Sequence, residues 1–345
     1  MESHKPGAVG PLQHKDYTVG WVCALPKEQT AATAMLDERH MDREQHLRKQ
    51  PNDTNTYTLG SIGGHNIVIA CLPKGRFGTV SAATVATNMV NTFPGIRFGL
   101  MVGIGGAVSR KVRLGDVVVS TPSGTHPGVV QWDMGKAGDR FERTGSLNNP
   151  PTVLLTALTK LGTENDMDGS KVPKLLKAVG DRNSRLKSKY EKSHLVDKLF
   201  KASYTHTSEP HETEEDEVED EDEQDHCRHC DLDQTVKRKP REMMVHYGAI
   251  ASGNRVIKNA QVRDQLSKDL GGNILCVEME AAGLMDSFPC IVVRGICDYA
   301  DSHKNDAWQE HAAAVAAAFA KELLGHIQAS EVEHERTVQE TLHTG

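Results

Sequence analysis

Asn273 to Asp298 reads NILCVEMEAAGLMDSFPCIVVRGICD. Two apolar runs, Asn273 to Glu278 and Cys290 to Ile296, have the length and content of buried strands, and Glu280 to Asp286 between them has helical composition. Strand, helix, strand, with both strands largely apolar, is the repeating unit of an α/β fold with a buried sheet. The strands run out in acids. Glu278 and Glu280 bracket Met279 at the end of the first, and Asp298 closes the second. Sheets of this kind hold their ligands at the carboxyl ends of the strands. Any one of these acids has a plainer explanation as a helix N-cap or a surface group, and for Asp298 alone the two readings balance.

The same alternation continues outward. Tyr17 to Leu25 (YTVGWVCAL) reads as a buried strand and Lys27 to Glu38 as a helix, with Glu28 just after the strand. Glu28 is thus a third acid at a strand end. Two β-type runs between Asn55 and Leu72 flank Gly63-Gly64-His65, which predicts a hairpin. Thr79 to Asn91 predicts a packed helix. Phe98 to Gly103 predicts a strand followed by a glycine turn, Gly103-Ile104-Gly105-Gly106, and Gly115 to Ser120 another strand. Helices are expected at Pro151 to Leu161, at Ser170 to Leu176 despite Pro173, and along the Ala-rich His311 to Ile327, with a strand inside Val245 to Ile257. No internal repeat is visible.

The 345 residues suffice for one large domain or two ordinary ones, and 38% hydrophobic content is low for a chain packed throughout. Much of the dilution is local. Glu209 to Asp225 holds 12 acidic residues and no Lys or Arg; outside it, 40 basic residues face 35 acidic ones. The folded part is therefore mildly basic, suited to small anions and short of a nucleic-acid footprint. Three boundaries follow: a disordered tail over 1–15, a domain over 16–327 with a disordered acidic insertion at about 206–236, and a tail or linker over 328–345, as if the chain were one piece of a longer protein. No run approaches the ~18 apolar residues of a membrane helix, and Met1 to Asp16 lacks a signal-peptide pattern. Seven cysteines, most inside apolar segments, fit a reducing cytosol better than a disulfide framework.

Two motifs have bland alternatives. Gly103-Ile104-Gly105-Gly106 is part of a dinucleotide fingerprint, but the third glycine position is Val108, and a turn admitting close approach to the backbone is the better reading. Cys227-Arg228-His229-Cys230 is half a zinc site with no second Cys pair to complete it. On spacing alone, reduced thiols at the base of the acidic insertion are favoured over a metal.

The 277–298 motifs, VEMEAAG and then VVRGICD, resemble the nucleoside phosphorylase / methylthioadenosine nucleosidase superfamily. Ile250 to Asn254 resembles its base-site segment, Leu114 to Val118 its Gly-Asp-hydrophobic strand, and Gly103 to Gly106 its central glycine turn. The likeness spans roughly Asp16 to Leu324. Gly128 to Asp133 and Cys297 to Asn305 are similar to a fungal branch in which this domain opens larger, receptor-like proteins. The resemblance implies an α/β fold with a central mixed, twisted sheet flanked by helices, and cleavage of a purine N-ribosidic bond without metal or organic cofactor. It also implies a homo-oligomer, with a dimer favoured, and neither nucleic acid nor membrane as partner.

The resemblance also distributes roles. Asp298 matches the acid that serves purine N7. Glu280 matches the group that holds the ribose hydroxyls, with Met279 against the sugar, and Glu278 is expected to point the other way. Glu28 aligns with the glutamate that activates water in the hydrolases. Phosphorylases place an Arg and a Ser where Met101 and Ile104 stand here, so two anion-binding donors are missing and hydrolysis is favoured. The hydrolases, too, usually carry Ser at the Ile104 position. Ile104, Gly105, Ser252, Asn254 and Arg255 complete the expected substrate contacts. Adenine is the expected base. Lys74 and Arg76, on a Gly-rich basic loop, together with Arg255 and Lys304, are candidates to meet a 5′-phosphate chain, as in ATP or AMP, or else are solvated surface charges. The rival activities are phosphate-dependent phosphorolysis and catalytically silent purine sensing within a receptor.

Overall fold

A computed structural model describes residues 11–139, 141–193, 195–207 and 227–344. The strands are β1 (Val19–Cys23), β2 (Glu38–Arg39), β3 (Tyr57–Ile62), β4 (His65–Cys71), β5 (Phe98–Ala107), β6 (Val117–Ser120), β7 (Val129–Gln131), β8 (Gly135–Ala137), β9 (Phe141–Arg143), β10 (Val245–Ser252), β11 (Ile274–Glu278) and β12 (Cys290–Asp298). The helices are α1 (Pro26–Met35), α2 (Met41–His46), α3 (Thr79–Thr92), α4 (Thr152–Asp168), α5 (Val172–Arg182), α6 (Ser184–Tyr190), α7 (Ala260–Asp269), α8 (Gln309–Leu324), α9 (Ala329–Val332) and α10 (Val338–Thr344).

The main sheet runs β11-β10-β6-β12-β5-β1-β4-β3-β2, with β7 beside β10. It is mixed: β1 is parallel to β4 and β5, whereas β12 is parallel to β5 and antiparallel to β6. The far end of β5 turns back to pair with β11, Gly106 opposite Val277, and this closes the first five strands of the order into a ring. Side chains alternate across the sheet, as the strand period of two requires. Trp21 and Cys23 of β1 enter a core beneath α1, α4, α5 and α8, while Val22 enters a second core with Ala82, Val85 and Met89 of α3. The alanines of α8 have a packing reason. The helix is buried along nearly its whole length, and a side chain on Gly295 of β12 would overlap the Ala312 carbonyl. Phe288 likewise occupies space left by Gly20 and Gly99.

Several expectations change at this level. The Gly63-Gly64 hairpin forms, with both glycines at positive φ and Ile62 paired to His65. Gly103 to Gly106 is no turn; β5 runs straight through it. The helix expected over Glu280 to Asp286 is one 3-10 turn, Ala281–Gly283. Pro173 is accommodated because it falls at the first turn of α5, where its missing N–H is not needed.

Described parts of the two expected tails carry regular structure. His14–Asp16 forms a 3-10 turn, with the His14 ring 5.4 Å from Phe93. The stretch read as a linker carries α9 and α10. Val332 and Val338 are fully buried, and the Val338 N–H donates to Ile96 O at 2.8 Å. Two apolar side chains, too few to show as periodicity, hold that segment to the domain. Residues 1–10 and the acidic block Glu209 to Asp225 lie outside the described residues. The insertion's described flanks are paired: the Lys201 N–H donates to Gln234 O and the Val236 N–H to Leu199 O. Among the described residues no helix is long and apolar enough to cross a membrane.

Candidate active site

The carboxyl ends of β1, β5, β11 and β12 meet at one edge of the sheet, around a cavity of about 230 Å³. Glu28, Ile104, Gly105, Met279, Glu280, Asp298 and Arg255 all border it. Phe77, Val256 and Ile257 supply apolar wall that the sequence reading did not anticipate.

Glu28 sits in the first turn of α1, where peptide dipoles favour an anion. Its Oε2 accepts the N–H groups of Ala24 (2.7 Å) and Leu25 (3.0 Å), and its Oε1 accepts that of Ile104 (2.9 Å). It is a helix-capping group and a cavity group at once. Burial pushes its carboxyl up; Arg294 and these N–H donors offset only part of that.

Arg294 is wholly buried in the middle of β12 and pairs with Glu278. Its Nη2 also lies 3.6 Å from Glu280 Oε2. The expectation that Glu278 faces away from Glu280 is therefore corrected: both carboxylates converge on one guanidinium. Residues two apart on a strand share a face, and the chain leaves β11 at Glu278 into the 3-10 turn, whose Glu280 and Ala281 N–H groups Glu278 accepts. Glu280 Oε1 faces the Gly78 N–H at 3.4 Å. Burial, then the neighbouring Glu278 and Glu28, push Glu280 up to about 7 against the pull of Arg294.

Asp298, at the end of β12, accepts the Ala300 N–H (2.8 Å) on Oδ1, which bends the chain so that Ala300 takes a φ of 50°. Its Oδ2 accepts from Lys304 Nζ and from Cys297 Sγ (3.2 Å). Lys304 thus lines the cavity as the partner of Asp298. Burial works against its ammonium, but Asp298 more than offsets this and the lysine is held above its usual range.

Not every candidate borders the cavity. Ser252 is buried behind it and accepts the Ala282 N–H at 2.9 Å. Asn254 is exposed. Its Oδ1 accepts the Thr79 N–H (3.0 Å) at the start of α3, and its own N–H donates to Asp133 Oδ2 (2.7 Å). Both therefore hold the loops that shape the mouth. Lys74 and Arg76 stand exposed on the preceding loop, of which only Phe77 reaches the wall. Arg255 lies over the Trp132 ring at 5.7 Å. Met101, one of the two phosphate-site positions, is buried in the core beneath α3, and Ile104 faces the cavity. Asp116, of the Gly-Asp strand motif, lies away from the cavity. Burial works to raise it, but Arg241, His246 and two backbone N–H groups bring it below its usual range.

The glycines of β5 explain how so many charged groups gather here. A Cβ at Gly103 would overlap Glu28 Oε1 and come within 2.5 Å of Arg294 Nη1; at Gly106 it would lie 2.6 Å from Asp298 Oδ1. Arg294, noted in the sequence only as part of the VVRGICD resemblance and given no role there, is the counter-charge of Glu278 and Glu280. Its signal was available: a lone arginine within Cys290 to Cys297 is tolerable in a buried strand only if acids meet it.

Known proteins share this sequence pattern and fold. Residues 18–161 match the family model described as phosphorylase superfamily. Over 322 residues the chain is 46% identical to a nucleotide-binding leucine-rich repeat (NLR)-like protein of the fungus Hyaloscypha variabilis, covering 91% of this chain and 30% of that protein. The chain thus resembles the phosphorylase superfamily over residues 18–161. More distant in sequence is the 5′-methylthioadenosine/S-adenosylhomocysteine nucleosidase of Mycobacterium bovis, 24% identical, with 89% of this chain and 95% of that one covered. Futalosine hydrolase of Helicobacter pylori shares the fold at a TM-score of 0.55 and 17% identity, over 90% of this chain and 99% of that one. The chain spans less than a third of the length of its fungal relative.

Proposed function

We propose that this domain is a purine nucleosidase, which hydrolyses the N-ribosidic bond of an adenine nucleoside or nucleotide to free base and ribose or ribose phosphate. The observation that carries this reading is the convergence of Glu28, Glu280 and Asp298 on one apolar-walled cavity. The names of two similar proteins, a nucleosidase and a hydrolase, support it.

The chemistry follows from the positions. As the C1′–N9 bond breaks, its electron pair passes to the purine and positive charge develops on the sugar. Asp298 in its protonated form delivers a proton to N7, and the carboxylate this leaves is the state that pairs with the Lys304 ammonium. Glu28 takes a proton from water as the water oxygen bonds to C1′. Its upward shift makes the carboxylate a stronger base. Glu280 accepts ribose hydroxyls while Met279 packs on the sugar. Ile104 offers no side-chain donor to an inorganic phosphate. Among the basic candidates for a 5′-phosphate, Arg255 is on the cavity rim, whereas Lys74 and Arg76 stand outside it.

The test is to incubate the chain with a panel of nucleosides and nucleotides, with and without phosphate, and to resolve released base by chromatography. Adenine release that does not depend on phosphate is expected. Release only in the presence of phosphate, retained in Glu28→Gln, would establish phosphorolysis instead. No release from any compound, with adenine still bound, would point to a sensor.

A further inference from the structure

Beyond the cavity, the Cys-x2-Cys motif acquires partners that its sequence spacing did not supply. The Sγ atoms of Cys227 and Cys230 and a ring nitrogen of His206 all lie within 4.8 Å of one another. Neither cysteine is in a disulfide. In a tetrahedral zinc site two thiolate sulfurs stand about 3.8 Å apart, so a small closure brings these three atoms onto one ion. A fourth group is close. The His303 ring lies 5.5 Å from that of His206 and borders, with Cys227, a cavity of about 110 Å³. His303 is 8% exposed; Asp301 Oδ1 lies 3.7 Å from its Nδ1, and among the described residues neither ring nitrogen has a hydrogen-bond partner. Buried imidazole nitrogens are normally satisfied, and one without a partner calls for an ion or water.

We propose that His206, Cys227, Cys230 and His303 form a structural zinc site. Two thiolates and two neutral imidazoles match the tetrahedral N/S preference of Zn²⁺. Binding breaks the two S–H bonds, releases two protons to solvent and leaves the ligand set and ion electrically neutral together. The location gives the site a task. His206 and Cys227 stand on either side of the acidic block, so one ion ties its two ends. His303 belongs to the loop that runs from Asp298 to Lys304, and the His206 N–H donates to Ser302 Oγ at 2.9 Å in that same loop. The ion would therefore fasten the base of the acidic block to the segment that positions Asp298 and Lys304. The assignment does not depend on the nucleosidase reading.

The decisive measurement is metal content. The untagged full chain, purified reduced and without chelator, should carry one equivalent of zinc by plasma mass spectrometry. Cys227→Ser combined with Cys230→Ser should abolish it, and Cys71→Ser should leave it unchanged. His206→Ala or His303→Ala should each weaken zinc retention against a competing chelator by more than about tenfold. Cobalt substituted into the wild type should give the visible bands of a tetrahedral ion together with sulfur-to-cobalt charge transfer; this reading stands even if the cysteine variants fail to fold. Substoichiometric zinc with no such cobalt spectrum would overturn the site, as would zinc that survives the double serine variant. Unchanged retention in His303→Ala would remove His303 from the ligand set and overturn the four-residue assignment.

Discussion

Two groups of buried carboxylates face the same cavity and are neutralised differently. On one side Glu28, Glu278 and Glu280 share the single guanidinium of Arg294. On the other, Asp298 pairs directly with the Lys304 ammonium. The first cluster has more acids than cations, so if all ionised it would bury a net negative charge. Burial pushes Glu28 up, and burial together with repulsion from Glu278 and Glu28 pushes Glu280 up. The second is a one-to-one pair at a partly exposed lysine. On the proposed nucleosidase reading this divides the work: the acid-rich side accepts protons and hydroxyl hydrogens, and Asp298 gives up its proton to become the carboxylate paired with Lys304.

The largest effect expected from breaking this contrast is on turnover. Asp298→Asn removes leaving-group protonation and should slow base release by ~10²–10⁴-fold. Glu28→Gln should cost a comparable factor in rate while adenine binding, followed by calorimetry, stays nearly unchanged, because water activation matters in the transition state. If Glu28→Gln turns over at the wild-type rate, the proton-accepting role assigned to the acid-rich side is lost.

Next in size is a difference in stability between the two cations. Arg294→Met leaves several acids buried with no counter-charge and should destabilise the fold by ~3–5 kcal/mol. Lys304 is a quarter exposed, so solvent screens the loss and Lys304→Met should cost about 1 kcal/mol or less. Denaturant titrations of the two variants decide this; equal losses would show that the two sides are held alike.

The smallest effect is a pH slope. Glu280 lies near 4.5 when unfolded and near 7 when folded, so between those values the native state holds more protons than the unfolded chain. Its contribution is fully present below about pH 4.5 and is lost as pH rises towards 7, at up to about 1.4 kcal/mol per pH unit. Glu28 acts in the same direction. Glu280→Gln should therefore flatten the melting temperature measured from pH 4.5 to 7.5. A slope as steep as that of the wild type would assign the shift to another group.

The elements of the sheet were legible because buried strands are short apolar runs bounded by turn residues: Tyr17 to Leu25, the Gly63-Gly64 hairpin and Cys290 to Ile296 all lie where the pattern puts them. The acids of the cavity were legible for a related reason, since a carboxylate closing such a run is conspicuous. What stayed hidden depends on distance in sequence. The pairing of Lys304 with Asp298 rests on a six-residue loop whose path no periodicity encodes. The continuation of β5 through three glycines reads locally as a turn, and only its partners β11 and β12 reveal it as strand. Glu278 was misdirected by treating the end of β11 as if the next residues alternated away from it. Val332 and Val338 are two isolated apolar side chains buried from the last helices, below what a window of composition detects.

The glycines of β5 define the floor of the cavity by the atoms they lack. At Gly103 and Gly106 the volume that a single methyl group would fill is already taken by the carboxylates of Glu28 and Asp298. An added carbon there would act as a wedge, driving two reacting groups apart without altering either of them. In a library designed to shift substrate preference, these positions are therefore dead ends, and variation belongs on the rim, at Phe77, Val256 and Arg255, where the wall yields to a larger or smaller occupant.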